Sequence, residues 1–183
     1  MVEGFEVVDA DLRSLGPENA VLFFRELVWA AAADVGVPRS SVHVPTRIHV
    51  GDGGLDAKIE DADPAQEDFI PAGDSGYQVK SSGMSYSSWK DDVRGGDGLQ
   101  PRIERLLDDD GTYVLVIFEE MVGESSDRSD MDKRERWEYT LQKEFADKGY
   151  DDADVRVYDT SRLAGFVSNF PSLIAQLKDL DPA

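Results

Sequence analysis

The chain contains no cysteine and few basic residues for its length. Its 183 residues include 19 Lys and Arg against 38 Asp and Glu, which gives a formal net charge of -19. The absence of cysteine excludes disulfides and thiolate metal sites. The lack of any Lys or Arg block argues against a broad basic face for nucleic acid. A phosphate-binding path would have to be local and built from residues such as Lys58, Lys80, Lys90, Arg94 and Arg102.

The chain also lacks a long hydrophobic run and an N-terminal targeting pattern. The longest strongly apolar stretch, residues 27–37, contains Asp34 and is too short to span a bilayer. We therefore expect a cytoplasmic protein with no membrane association. No repeat or low-complexity linker divides the chain, so we expect a single domain over residues 1–183. That domain could be the N-terminal module of a longer protein.

The acidic residues are spread along the chain rather than gathered in a tail. A hydrophobic content of 40% argues against wholesale disorder. In molar salt the Debye length falls to about 3 Å, so repulsion between surface carboxylates is largely screened. The composition favours a protein adapted to a high-salt cytosol, such as that of a halophilic archaeon. An ordinary acidic protein is the alternative.

Hydrophobic periodicity predicts the order of the elements. Strands are predicted over residues 42–50, 54–60, 76–81, 113–118 and 155–158. Helices are predicted over residues 19–35, 99–107 and 131–148, the last capped by Asp130 or Ser129, with a closing helix capped by Thr160 or Ser161. The acidic insert over residues 61–75 is expected to be a long, mobile hairpin connection. The fold class is therefore α/β, with a central mixed β-sheet flanked by helices.

Two of the predicted strands carry polar groups of the kind that hold a divalent metal beside a phosphate. Asp56 follows a Gly-Gly turn and offers a carboxylate oxygen. Gln78 offers an amide oxygen, and Lys80 adds a cation two residues later on the same strand face. Two alternatives remain open at this stage. Asp56 and Lys80 could form a plain salt bridge, or Gln78 and Lys80 could lie on the wet face of a half-exposed strand.

An Asp on one strand and Gln-x-Lys on the next resemble the motif of the restriction-endonuclease-like PD-(D/E)xK nuclease superfamily. The Gln in place of Glu is similar to the Mrr-like branch. The resemblance covers about residues 20–119 and implies a restriction-endonuclease-like core (αβββαβ), here with a C-terminal α-β-α extension. It further implies a metal-dependent endonuclease that hydrolyses DNA phosphodiester bonds in defence against foreign DNA.

The resemblance assigns the candidate site residues one by one. Asp56, Gln78 and the backbone carbonyl of Val79 would bind Mg²⁺ or Mn²⁺. Gln78 would bind the metal more weakly than Glu because an amide adds no charge. Lys80 would orient the attacking water and stabilise charge on the phosphate. Glu26, on the first helix, would add a further carboxylate, and Glu18 is the alternative to Glu26.

Several residues around the motif could contact nucleic acid. The candidates are Lys58, Tyr86, Trp89, Lys90 and Arg94. Aromatic rings can stack on bases, and cations can pair with phosphates. Tyr86, Trp89 and Lys90 could equally cover the edge of the sheet.

The small size and the lack of a sequence-reading motif imply a cleavage module that works with other parts. By the resemblance, its partner besides DNA would be an NTPase-like or helicase-like domain or subunit. A homodimer is also expected, since paired cuts usually need two active sites. An alternative hypothesis keeps the nuclease fold without catalysis, as a decayed domain that binds nucleic acid or protein. In a third hypothesis, the acidic insert docks a protein partner.

Overall fold

The computed structural model describes residues 7, 9–45, 54–81, 85–121 and 132–180. Its helices are α1 (Asp9–Arg13), α2 (Pro17–Asp34), α3 (Tyr86–Val93), α4 (Pro101–Asp108), α5 (Lys133–Ala146), α6 (Thr160–Val167) and α7 (Pro171–Leu180). Its strands are β1 (Val42–His43), β2 (Ala57–Ala62), β3 (Gly73–Lys80), β4 (Arg94–Gly95), β5 (Gly98–Leu99), β6 (Thr112–Ile117) and β7 (Val155–Tyr158). None of these helices combines the length and the apolar content that crossing a bilayer requires.

Five strands form one mixed sheet in the order β1-β2-β3-β6-β7. β1, β2 and β3 are an antiparallel meander, whereas β6 runs parallel to β3 and β7 runs parallel to β6. Parallel neighbours need a crossover connection. α3 and α4 supply one between β3 and β6, and α5 supplies one between β6 and β7. The predicted mixed sheet with helices on both sides is confirmed.

The helices cover both faces of the sheet and bury two separate hydrophobic clusters. Phe24 of α2 and Tyr77 of β3 belong to the first cluster, which α6 and α7 complete. Trp89 of α3 and Phe145 of α5 belong to the second, together with residues of α4. Successive side chains of a strand point to opposite faces. Gln78 therefore points toward the layer of α3, α4 and α5, away from α2.

The central strand β6 is buried along its whole length. All six of its residues are buried. Val114 and Val116 join the first cluster, and Tyr113, Leu115 and Ile117 join the second. The nearly continuous apolar run over residues 113–118 predicted a strand covered on both faces, and this is confirmed.

The acidic insert is a hairpin connection, as predicted, and it is anchored to the core. β2 and β3 extend further into it than predicted and leave only residues 63–72 between them. Phe69 is buried, and its ring centroid lies 5.7 Å from that of Tyr77 and 5.6 Å from that of Tyr158. The hydroxyls of Tyr77 and Tyr158 donate to the Phe69 carbonyl oxygen at 3.3 and 3.1 Å. These contacts hold the insert against the layer of α2, and they weaken the hypothesis that it is a free docking loop.

The helix caps differ from those predicted. α5 is capped by Asp132, whose side chain and that of Glu135 bond each other's backbone N–H groups. The caps predicted from the sequence, at residues 129 and 130, lie outside the described residues. α6 is capped by Asp159, whose carboxylate accepts from the Arg162 N–H, one residue before the predicted Thr160.

Some short elements were not predicted, and one predicted strand is shorter. α1, α3 and the β4-β5 hairpin were missed because each is brief and presents few apolar residues. Of the strand predicted over residues 42–50, only Val42–His43 pairs with β2. Residues 44 and 45 are not in a strand, and residues 46–50 lie outside the described part of the chain.

Replacing Phe69 by Ala should lower the free energy of unfolding by about 3–5 kcal/mol, because removing a buried aromatic ring leaves a cavity. Denaturant unfolding in high salt, followed by circular dichroism, measures the change. Tyr139→Ala is the control, since that side chain is 57% exposed. The control should change the free energy by less than about 0.5 kcal/mol. Equal effects of the two substitutions would contradict the anchored insert.

Candidate functional site

Asp56 lies immediately before β2 and reaches the edge of β3. Its backbone N–H donates to the Tyr77 carbonyl oxygen at 2.7 Å. Its carboxylate Oδ2 accepts from the Val79 N–H, also at 2.7 Å. Because Ala57 pairs with Tyr77, the same register puts Asp56 opposite Gln78. The two strands thus bring Asp56 to the backbone of the residue between Gln78 and Lys80.

The backbone carbonyl of Val79 is directed toward Asp56. The N–H and C=O groups of one strand residue point to the same neighbouring strand. The Val79 N–H points to Asp56, whereas the Lys80 carbonyl points to the other side and accepts from the Phe118 N–H at 3.0 Å. The orientation suits the role of metal ligand that the family resemblance implies for this carbonyl.

Gln78 is buried, and a chain of hydrogen bonds holds its amide. The Tyr113 hydroxyl donates to Gln78 Oε1, and the Trp89 indole N–H donates to the Tyr113 oxygen at 2.9 Å. Burial is the main reason that the pKa of Tyr113 lies far above its ordinary value, and the carboxylates of Asp56 and Asp92 raise it further. The phenol therefore stays protonated and remains a donor.

This hydrogen-bond chain rules out a wet strand face at Gln78. The side chain is only 4% exposed. A buried amide is costly unless it is hydrogen-bonded, and Tyr113 meets that need. A carbonyl oxygen has two lone pairs, so Gln78 Oε1 can accept from Tyr113 and still face a cation.

Lys80 shares the face of Gln78 and is paired with an acid that the sequence analysis missed. Its Nζ lies 2.5 Å from Oδ2 of Asp92, on α3. Trp89 and Asp92 are three residues apart on that helix and therefore lie on the same side. α3 thus orients Gln78 through Trp89 and Tyr113, and it holds Lys80 through Asp92. The spacing of Trp89 and Asp92 is the one sequence signal for this arrangement, and it is weak without a predicted helix.

Glu26 lies apart from this group. It belongs to α2, which packs on the opposite face of the sheet from Gln78 and Lys80. Its Oε1 is 3.8 Å from a guanidinium nitrogen of Arg25, the neighbouring residue. Glu18, the alternative, is an exposed residue of the first turn of the same helix. We therefore leave both out of the metal site.

Trp89 is not exposed, so it cannot stack on a base. Its prediction as a nucleic-acid contact is wrong. Trp89 is fully buried, because Tyr86 stacks on its indole at 5.6 Å and Phe145 meets it edge-on at 6.0 Å. Its N–H is used by Tyr113. Trp89 positions other groups instead.

Three other predicted contacts, two on α3 and one on β4, converge on one buried acid, Glu144 of α5. Lys90 pairs with it at 2.7 Å and Arg94 at 3.5 Å, and the Tyr86 hydroxyl donates to it at 3.4 Å. Burial alone would raise the pKa of Glu144, but Lys90 and Arg94 outweigh it and lower this pKa below its ordinary value. The charges of Lys90 and Arg94 are therefore partly neutralised within the protein.

Lys58, the remaining predicted contact, points to the same side of β2 and β3 as Gln78. Its register partner is Gly76. Its Nζ lies 3.1 Å from Oε1 of Glu60 and 3.4 Å from Oδ2 of Asp74. The Lys58 ammonium is therefore shared between two carboxylates close to the candidate site.

The oxygens near Asp56 suit a hard dication. Within the described ranges, no group of three or more His, Cys, Asp or Glu residues is placed to hold a metal. The predicted ligand set is of a different kind, with one carboxylate from Asp56, one amide from Gln78 and one backbone carbonyl from Val79. Mg²⁺ commonly keeps several waters and needs only one or two protein carboxylates. The donor set therefore fits Mg²⁺ or Mn²⁺.

Comparisons with known proteins do not place the chain in a family. A scan against protein-family models and searches of curated proteins and of solved structures gave no match. The function is therefore inferred from the chemistry of the residues gathered around Asp56.

Replacing Glu144 by Gln should destabilise the protein in a pH-dependent way. The folded-state pKa of Glu144 lies below its ordinary value of 4.5, so its ionised form stabilises the fold. That stabilisation is present above about pH 4.5 and is lost as the pH falls through the folded-state pKa. At neutral pH the substitution should cost about 1–3 kcal/mol.

Urea unfolding at a series of pH values and constant salt measures this effect. The difference between wild type and Glu144→Gln should shrink as the pH falls below 4.5. A difference that stays constant across the pH range would show that the charge of Glu144 does not matter.

Proposed function

We propose that this chain is a metal-dependent nuclease domain that hydrolyses DNA phosphodiester bonds. The observation that carries the proposal is the 2.7 Å hydrogen bond from the Val79 N–H to the Asp56 carboxylate. It joins the aspartate of one strand to the Gln-x-Lys segment of the next, as the motif requires. The element order α2, β1, β2, β3, helices, β6 also supports the proposal, since it agrees with an αβββαβ core.

The oxygens of Asp56, Gln78 and Val79 would hold Mg²⁺ or Mn²⁺. When bound, such an ion polarises a phosphoryl oxygen and lowers the pKa of a coordinated water. Asp56 is the one charged member of this ligand set, so we expect weak affinity for the metal.

The protein residues around the ligands would fix the geometry of the reaction. Lys80 would donate to a phosphate oxygen and stabilise its developing charge. An ammonium has three donors, so Lys80 can keep its bond to Asp92 while it does so. Tyr113 and Trp89 are positioning residues, since they act only through the amide of Gln78.

Replacing Lys80 by Ala should reduce DNA cleavage by about 100-fold or more, because the donor to the phosphate is lost. The assay is plasmid cleavage with Mg²⁺ or Mn²⁺ in high KCl. Lys178→Ala is the matched control, since Lys178 pairs with Asp11 at the same 2.5 Å but lies on α7. It should cleave at the wild-type rate. Equal activity of wild type and Lys80→Ala, once contaminating nucleases are excluded, defeats the proposal.

Replacing Gln78 by Glu should strengthen Mn²⁺ binding by about tenfold or more, because it adds a negative charge beside Asp56 in a partly buried site. The Tyr113 hydroxyl can donate to a carboxylate as it does to the amide. Without metal, the variant should melt at a lower temperature, since the new charge faces Asp56 and Asp92.

Isothermal titration calorimetry with Mn²⁺ measures the affinity of this variant. Gln142→Glu is the control, because Gln142 is exposed on α5 and the chemical change is the same. The control should leave the affinity unchanged. An unchanged affinity in Gln78→Glu as well would remove Gln78 from the ligand set.

The second candidate function is a catalytically silent domain of the same fold that binds nucleic acid or protein. Two contacts favour it: Lys80 is already paired with Asp92, and Gln78 Oε1 already accepts from Tyr113. The net charge of -19 also opposes contact with DNA. Mn²⁺ titration of Asp56→Asn distinguishes the two functions, because a silent site should show no metal binding that depends on Asp56.

The remaining expectations concern the setting of the protein. They are a role in defence, a cytoplasmic location, a homodimer, and an NTPase-like or helicase-like partner. These stay predictions.

A further inference from the structure

A cleft of about 610 Å³ lies beside the candidate site. Leu55 and Ala57, the two chain neighbours of Asp56, both line it, as does Lys58. Arg102 and Arg105 of α4 line it as well. The cleft therefore lies next to the segment that carries Asp56.

The two arginines of this cleft differ from most cations of the described residues. Both are exposed, and no hydrogen bond or ion pair of either side chain is found within the described residues. They are three residues apart on α4, so both guanidinium groups can face the same side. On a chain with a net charge of -19, two arginines without an acidic partner in the described ranges call for an explanation.

The position of Arg102 is unfavourable for the helix itself. It is the second residue of α4, where the helix dipole places partial positive charge. No side chain caps this helix end. Helix stability therefore does not explain why a cation occupies this position. Binding of an anion would explain it.

Charges in the cleft are positive on balance. Lys58 and Glu60 line it as a pair, and Asp74 also contacts Lys58, so Arg102 and Arg105 supply the positive charge of the cleft. Lys90 and Arg94 are in a different situation, because the buried Glu144 neutralises part of their charge. The cleft at α4 is thus better suited to an anion than the surface around Lys90 and Arg94 is.

We propose that this cleft binds the phosphodiester backbone of DNA, with Arg102 and Arg105 as its phosphate ligands. The inference rests on the proposed nuclease function and names the path by which a strand reaches Asp56. A guanidinium can bond two phosphate oxygens at once through its planar fork. Lys58 stands about 7 Å from Asp56 along β2. One DNA backbone can therefore reach both residues.

The test is the double variant Arg102→Gln/Arg105→Gln. Its binding to a fluorescein-labelled DNA duplex is measured by fluorescence anisotropy, with Ca²⁺ in place of Mg²⁺ to prevent cleavage, over a range of KCl concentrations. Each lost phosphate contact should reduce the slope of log K against log salt by about 0.9. We expect a slope smaller by about 1.8 and an affinity weaker by about tenfold or more at low salt.

The control is Lys133→Gln/Lys143→Gln, which changes the net charge equally on α5. It should keep the wild-type slope. The melting temperature of the arginine variant should change little, because Arg102→Gln relieves an unfavourable charge in the first turn of α4 while Arg105→Gln removes a favourable one in the last turn. This readout separates a loss of binding from a loss of folding.

The outcomes distinguish failure of the DNA-binding cleft from failure of the proposed nuclease function. If the arginine variant and the control bind DNA alike while the wild type cleaves plasmid, the cleft is not the path and the nuclease proposal stands. If the wild type neither binds nor cleaves DNA, the proposed function fails and this inference fails with it. A reduced slope in the arginine variant alone supports the cleft, whether or not cleavage is seen.

Discussion

The antiparallel register of β2 and β3 is the constraint on which the candidate site depends. A slip of one residue would turn every side chain of β3 to the other face. Gln78 and Lys80 would then leave α3, and Tyr77 would leave its contact with Phe24 and Phe69. Gly76 also holds this register, because a Cβ there would lie 2.6 Å from a methyl group of Leu106 on α4. Apolar packing on both faces of β3 thus sets the geometry of the polar groups.

The polar groups of the site are supported from the layer that buries them. α3 contributes Trp89, which holds Tyr113, and Asp92, which holds Lys80. Buried polar groups are stable only when each finds a partner, and a fully bonded network also limits the orientations that they can take. Two other groups of charges differ in their pairing. Glu144 forms ion pairs with Lys90 and Arg94, whereas Arg102 and Arg105 line a cleft and have no acidic partner in the described ranges.

The sequence predicted most of the main elements because their signals are local. The apolar run of β6 and the helical spacing in α2 can be recognised without knowing their neighbours. α3 was missed, since its only buried residues are Trp89 and Val93. Asp92 went unnoticed for the same reason, and no spacing rule links it to Lys80. The anchoring of Phe69 was missed as well, because no local pattern links it to Tyr77, eight residues on, or to Tyr158, 89 residues on.

Local pattern was enough to place Gln78 and Lys80 on one strand and Asp56 at the start of its neighbour, since alternation and turn residues are properties of short segments. The composition was also enough to show that a phosphate-binding path must be built from few Lys and Arg residues, because the number of charged residues does not depend on the fold. The packing of the helices on the sheet decided what the sequence did not. It selected the carboxylate that pairs with Lys80, the donor that bonds Gln78, and the cations that have no acidic partner in the described ranges. Those partnerships join residues that are distant in the chain, and packing rather than periodicity selects them.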